Sequence, residues 1–269
     1  MNSTLPPSAP FSGRSGLRLA ALAAWSGAGA LLVLGGWLLV GWSPARRGAW
    51  RRRMMHHWAR GSARILGMRI ETSGVPPAEP ALLVANHLGY LDIVLLAACL
   101  PTVFVAKREV RDWPLIGALA ALAGTIFVDR LAPRDAVRTA RSIETALARG
   151  DTVVLFAEGT STRGDRVLPL KPALLEPAAR AGWAVQYAAL SYRTPPGQPP
   201  ADQAVCWWGE MEFMPHLLGV TRLPDFTGSV AFGADTLRGT DRKDLAAGLQ
   251  AAIARHFTPV VHGIESCPS

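Results

Sequence analysis

The stretch LLVANHLGYLD, residues 82–92, decides how this chain is read. Its first four residues are a short apolar run of the kind that forms a buried strand. The run ends in Asn86-His87, and Asp92 follows five residues later, where an apolar helical pattern begins. The spacing predicts a strand-to-helix corner with His87 at the end of the strand. Asp is a favoured N-cap, so the Asp92 carboxylate is expected at that corner, beside His87. A histidine with a carboxylate on one ring nitrogen has a fixed tautomer and keeps the other nitrogen free to take a proton. No Ser or Cys lies between the two. The chemistry expected is therefore a base acting directly on a substrate hydroxyl, with no covalent enzyme intermediate. At this spacing alone, a capping Asp beside a purely structural His is an equally good reading.

Outward from the corner, short apolar runs alternate with helical ones. Ala81–Ala85, Val103–Ala106, Thr125–Val128, Thr152–Phe156 and Ala184–Leu190 read as strands. Residues 92–100, 113–123, 134–149, 172–181 and 242–256 read as helices. This alternation predicts an α/β layered domain. A Pro-rich loop, Thr194–Pro200, comes before a last strand-like stretch near Val205–Trp208. There is no GxGxxG or P-loop phosphate fingerprint. There is also no GxSxG elbow, which argues against a hydrolase of the α/β class.

Two other predicted strands end in chemistry. GTIFVDR (124–130) delivers Arg130 to a strand's C-terminal end, and FAEGTST (156–162) delivers Glu158-Gly159-Thr160. Ligands of α/β sheets sit outside the carboxyl ends of the strands. His87, Asp92, Arg130, Glu158, Gly159 and Thr160 are thus expected at one edge of the sheet. Taken singly, Arg130 could be a surface ion-pair partner and Glu158 a helix-start carboxylate.

Composition bounds the rest. The chain has 269 residues, 49% of them apolar, ample for a core and too apolar for a disordered chain. Only 18% are charged and the mean hydropathy is +0.19, lean in charge for a soluble domain. Leu19–Val40 holds 22 residues with no charge; as a helix it spans roughly 33 Å, enough to cross the hydrocarbon core. A cleaved leader ending at Ala28-Gly29-Ala30 is the alternative. The apolar run, however, continues ten residues past that site, longer than signal h-regions allow.

The formal charge of +8 is concentrated at one end. Residues 1–70 carry ten Arg and no acidic residue, which leaves 18 basic and 20 acidic side chains for the remainder. Cations beside a hydrophobic segment fit anionic lipid better than nucleic acid, for which the folded domain itself is usually basic. In residues 49–66, Trp50, Met54, Trp58 and Ile65 recur at helical spacing among Arg51, Arg52, Arg53, Arg60 and Arg64. That pattern predicts an interfacial amphipathic helix; an ordinary surface helix packed on the domain is the alternative. The Arg-rich flank after the apolar segment places the folded domain on the cytoplasmic side of the inner membrane. The three cysteines show no metal-ligand spacing, and no metal site is expected.

The motifs together resemble a known family. NHLGYLD is similar to the NH-x4-D motif of PlsC-type glycerolipid acyltransferases, GTIFVDR to their second motif and FAEGT to their third, in order over roughly residues 50–195. The resemblance implies an α/β fold, a mixed sheet with flanking helices. The acyltransferase domain then spans 73–260. Before it come a disordered N-terminus (1–17), a membrane helix (18–45) and an amphipathic helix (46–72), and after it a tail (261–269).

In function, the resemblance implies that His87 is the base and Asp92 its partner. Arg130, Glu158, Gly159 and Thr160 bind the acceptor head. The donor is acyl-CoA or acyl carrier protein, with no cofactor, and the partners are membrane lipids and a lysolipid. The acceptor implied is 1-acylglycerol-3-phosphate, giving phosphatidic acid. Two departures bear on it: Ala157 stands where the third motif has Pro, and Ser161 where it has Arg, with Arg163 two residues on. QYAALSYR (186–193) also departs from the fourth motif. WWGEM (207–211) and MPHL (214–217) are similar to a stretch of lyso-ornithine lipid acyltransferases, whose acceptor carries a carboxylate and an amine; this is the alternative. A non-catalytic, membrane-anchored lipid-binding protein is the rival from another class.

Overall fold

A computed structural model describes residues 13–40, 43–77, 80–129 and 135–261. Its centre is a seven-stranded sheet made of β1 (Met68–Ser73), β2 (Leu82–Ala85), β3 (Thr102–Lys107), β4 (Ile126–Val128), β5 (Thr152–Phe156), β6 (Val185–Arg193) and β7 (Phe226–Phe232), in the order β1-β7-β6-β2-β5-β3-β4. All neighbours are parallel except β6 and β7, so the sheet is mixed, as the motifs implied. The helices are α1 (Gly13–Leu39), α2 (Pro44–Leu66), α3 (Leu91–Cys99), α4 (Ile116–Leu122), α5 (Asp135–Ala148), α6 (Pro172–Ala181), α7 (Ala201–Ala204), α8 (Phe213–Arg222) and α9 (Arg242–His256).

Alternation along β2 shows how the sheet is sandwiched. Leu83 and Ala85 face a core shared with α2, α3, α7 and α8, whereas Leu82 and Val84 face one shared with α5, α6 and α9. A strand buried on both faces reads as a continuous apolar run, which is why β2 and β5 are legible in the sequence.

Several expectations are corrected. Residues 13–17, expected to be disordered, begin α1; residues 1–12 lie outside the described residues, as does the tail from 262. The apolar helix ends at Leu39, and Ser43 caps α2 with Pro44 at its first position, an arrangement that pre-organises a helix start. The amphipathic segment is helical only to Leu66. Gly67 takes the left-handed conformation (φ 76°) and closes α2, as glycine does at helix ends. Residues 68–72 then enter the sheet as β1. Val205–Trp208 is not a strand. The Val205 and Cys206 N–H groups bond back to Ala201 O, and the Trp207 N–H bonds Leu88 O, so these donors serve a helix end and the motif loop.

The face of α2 expected to meet the membrane meets α1 instead. The two helices form an antiparallel hairpin in which indoles donate to the facing helix: Trp25 Nε1 to Trp58 O (2.9 Å), Trp58 Nε1 to Ser26 Oγ (3.0 Å) and Trp50 Nε1 to Leu32 O (3.0 Å). Gly36 lies under Trp50 and Gly61 under Trp25, at positions where any Cβ would collide with the ring. Nor are Arg51 and Arg52 free cations. Both reach the fully buried Asp151 at the start of β5, at 3.4 and 2.7 Å. Helix α2 is therefore packed on the domain.

Candidate active site

Register brings the first and third motifs together. Ala85 of β2 pairs with Phe156 of β5 in parallel, so His87 and Glu158, each two residues beyond, emerge side by side at the C-terminal edge. The His87 ring stacks on Phe156, with centroids 4.2 Å apart. Its Nδ1 lies 2.7 Å from Asp92 Oδ2.

Asp92 does not cap its helix. It is the second residue of α3, and Tyr90 occupies the cap position. Helical side chains lean toward the N-terminus, so the carboxylate reaches back over the loop. There Oδ2 accepts from the Leu88 (2.7 Å) and Gly89 (3.1 Å) N–H groups as well as from His87, while Oδ1 accepts from Tyr192 OH on β6 (2.8 Å). Four donors suit the acceptor-only, ionised form of a carboxylate. Facing it, His87 Nδ1 must carry the proton, which leaves Nε2 with its lone pair. Asp92 is 0% exposed while the His87 side chain is 23% exposed; the orienting group is sealed in and the working ring is open.

Glu158 faces inward. It is 2% exposed; Oε1 accepts the His87 N–H (3.0 Å) and Oε2 the Leu168 N–H (3.3 Å). Burial raises its carboxyl to about 7, against the opposing pull of these two bonds. Thr162 N–H closes the loop from the other side by donating to His87 O (2.9 Å). Gly159 has φ 76° and lies under the stem of Lys171, while Thr160 is exposed. β4 ends at Val128 on the same edge; Arg130 lies outside the described residues.

Sequence reasoning missed Tyr192, the amide of Asn86 and Lys171. Asn86 exchanges two hydrogen bonds with the Leu190 backbone (2.7 and 3.0 Å), fixing the loop to β6. A signal for Tyr192 did exist: it falls on the apolar phase of β6 with Ala188 and Leu190, where a buried phenol must find an acceptor. Burial and the Asp92 charge hold this phenol well above its ordinary range, so it stays a donor. Tyr90 also works in the loop, through its OH to His216 Nδ1 (3.0 Å); the neutral His216 passes its Nε2–H to Cys206 O (3.0 Å) and is lowered by burial to about 4.

Such a base can deprotonate a hydroxyl placed at its free nitrogen. Residues 69–191 match the family described as Acyltransferase. A lyso-ornithine lipid O-acyltransferase of Brucella abortus (strain 2308) is 39% identical over 232 residues, covering 81% of this chain and 87% of that protein. A 1-acyl-sn-glycerol-3-phosphate acyltransferase of Neisseria meningitidis is 35% identical over 144 residues, covering 53% and 56% respectively. The crystal structure of the 1-acyl-sn-glycerophosphate acyltransferase PlsC from Thermotoga maritima superposes with a TM-score of 0.61 at 17% identity, over 90% of this chain and 97% of that one; it shares the fold. The chain belongs to the PlsC-type acyltransferase family, and it is an acyltransferase acting on lysolipids.

Proposed function

We propose that the chain is a lyso-ornithine lipid O-acyltransferase that works through direct attack by the acceptor hydroxyl. His87 Nε2 takes the hydroxyl proton as the oxygen adds to the carbonyl of a donor thioester carried by coenzyme A or acyl carrier protein. The tetrahedral intermediate then expels the thiol, which receives the proton back from His87. One C–O bond forms and one C–S bond breaks, and the chemistry so written calls for no cofactor. Asp92 holds the tautomer, Tyr192 and Glu158 position the loop, and Arg130 with the Gly159-Thr160 turn meets the acceptor head. The carrying observation is the 2.7 Å bond from His87 Nδ1 to a sealed Asp92, with Nε2 left open. Two features support the acceptor: the likeness to relatives of that name over most of both chains, and Ser161 in place of a second cation. A phosphate near −2 is best held by two cations. The reading with 1-acylglycerol-3-phosphate as acceptor draws on the Neisseria relative and the PlsC fold.

Membrane attachment runs through the outward face of α1. Leu17, Leu31, Leu34 and Leu38 are exposed there, on a helix long and apolar enough to cross a bilayer. The cytoplasmic side is the face that the Arg-rich flank favours.

The test is lipid profiling of a host lacking its own enzyme, with purified protein assayed on both acceptors. O-acylation of lyso-ornithine lipid by wild type is expected. His87→Ala should lose about 10²–10⁴-fold in turnover while still binding lipid. Transfer to 1-acylglycerol-3-phosphate alone would overturn the lyso-ornithine reading.

A further inference from the structure

The loop that carries Glu158-Gly159-Thr160 continues into Thr162, bonded to His87 O at 2.9 Å, and then into Arg163. Arg163 is thus the chain neighbour of a residue bonded to the catalytic corner. Its side chain is 45% exposed while Asp202, 3.8 Å away at Oδ2, is 8% exposed. Its guanidinium lies 5.9 Å from the centroid of the Trp208 ring. The Trp208 Nε1–H in turn donates to Asp202 O at 2.8 Å. The three residues interlock two segments distant in sequence, the third-motif loop and the stretch around α7.

We propose that this bracket completes the acceptor head-group site beside the Gly159-Thr160 turn: Arg163 binds the carboxylate of an amino-acid head, and its pairing with Asp202 selects that head over a phosphate. The inference rests on the lyso-ornithine acceptor reading above and names the residues that would set that acceptor. An ion pair of 3.8 Å is longer than a charge-assisted hydrogen bond of about 2.7–2.9 Å. Asp202 therefore tethers the guanidinium without using up its five donors. With one face toward Trp208, the fork of N–H groups is left to take a carboxylate in bidentate fashion. The Asp202 charge meanwhile offsets that of Arg163, so the bracket attracts a dianionic phosphate weakly. A head with both carboxylate and ammonium brings no net charge and loses little from that offset. Lys171, whose stem crosses Gly159, is the rival cation at this loop.

The experiment uses the full chain in detergent micelles with lyso-ornithine lipid and with 1-acylglycerol-3-phosphate. Arg163→Ala should raise KM for lyso-ornithine lipid about 10- to 100-fold, the range for a lost charged hydrogen bond, with kcat little changed. Arg163→Lys should recover only part, because an ammonium cannot offer the fork. Asp202→Asn should lower KM for 1-acylglycerol-3-phosphate, and that gain should vanish in the Asp202→Asn/Arg163→Ala double variant. A merely structural Arg163 would move stability or kcat and leave the ranking of the two acceptors as it was. Should Asp202→Asn fail to fold, the two Arg163 variants decide. An unchanged KM in Arg163→Ala, or a rise found in Lys171→Ala instead, overturns the head-group role alone. Wild type that acylates only 1-acylglycerol-3-phosphate, or neither lipid, overturns the acceptor reading and this proposal together.

Discussion

Asp92 is sealed from water and takes four donors, one of them from a side chain a hundred residues away, Tyr192. The Tyr192 O–H draws charge from the oxygen opposite the one that faces His87. Tyr192→Phe removes that pull, so the carboxylate favours the imidazolium more strongly. The acidic limb of the kcat/KM profile should move to higher pH, with turnover at neutral pH down about 10- to 100-fold, the worth of one hydrogen bond to a charged group. A purely structural tyrosine would leave the limb in place, so pH profiles of the two proteins decide. Glu158 gives a second pH effect. Its folded carboxyl sits at about 7 against an ordinary 4.5, so between those values the folded state holds the extra proton. The stabilisation is fully present below 4.5 and is lost as pH rises through 7. Glu158→Gln cannot satisfy both the His87 and Leu168 N–H groups and is less stable throughout, but its deficit in Tm should shrink from pH 5 to pH 8. A constant deficit would contradict the buried acid. At this scale His87, Asp92 and the Glu158 loop were legible because each motif is local, a strand end with its own polar residues. Tyr192 and the inward turn of Glu158 were not, because a register between distant strands creates those contacts.

Among elements, β2 and β5 were legible because they are apolar throughout, whereas β1 (MRIETS) and β7 (FTGSVAF) were missed. These two pair in parallel at one end of the sheet, beyond the antiparallel β6–β7 pairing, and β1 is mostly polar. Gly228 and Ser229 of β7 read as turn residues, yet a side chain at 228 would press on Leu95 and Tyr192. Helix α2 shows the opposite failure, a period read correctly with its burial misassigned. Its tryptophans pack on α1, and two of its arginines converge on Asp151, which also lies 3.8 Å from Arg149. The pattern of apolar and cationic residues is the same for a membrane face and for a helix-hairpin face over a buried carboxylate. This cluster fixes α2 to the end of the sheet away from the active site. Asp151→Ala leaves Arg51 and Arg52 largely buried without their counter-charge, so the cost should be near the buried-pair range, about 3 kcal/mol. Arg52→Ala should cost less, because Arg51 still meets the carboxylate. Urea unfolding of the detergent-solubilised variants measures both, and a loss below about 1 kcal/mol for Asp151→Ala, the range of exposed pairs, would show that solvent compensates the cluster.

On the scale of the whole molecule, the question is how an apolar helix of 27 residues relates to the domain it precedes. Its length alone is enough to cross a bilayer, and the sequence could say no more than that. The structure ties both ends of α1 to the same body. Near its start Arg18 donates to Leu223 O (2.6 Å) and Pro224 O (2.9 Å), just beyond α8; near its end Gly36 packs under Trp50 of α2. On the membrane attachment proposed above, a helix held at both ends along the domain would keep those ends on the domain's side of the membrane, and only its outward leucines would enter the lipid. A helix that crossed the bilayer would have to give up one set of contacts. With the native cysteines replaced, single cysteines at Arg14 and at Leu39 should both react with a membrane-impermeant maleimide in inside-out vesicles, and neither should react in intact spheroplasts. Labelling of the two positions from opposite sides would mean that the hairpin opens on insertion. Trp25, Trp50 and Trp58 would then lose the carbonyl and hydroxyl partners they have here. Their fluorescence gives an independent reading of the same event: opening should shift the emission between detergent-solubilised and vesicle-bound protein, and a closed hairpin should leave it unchanged.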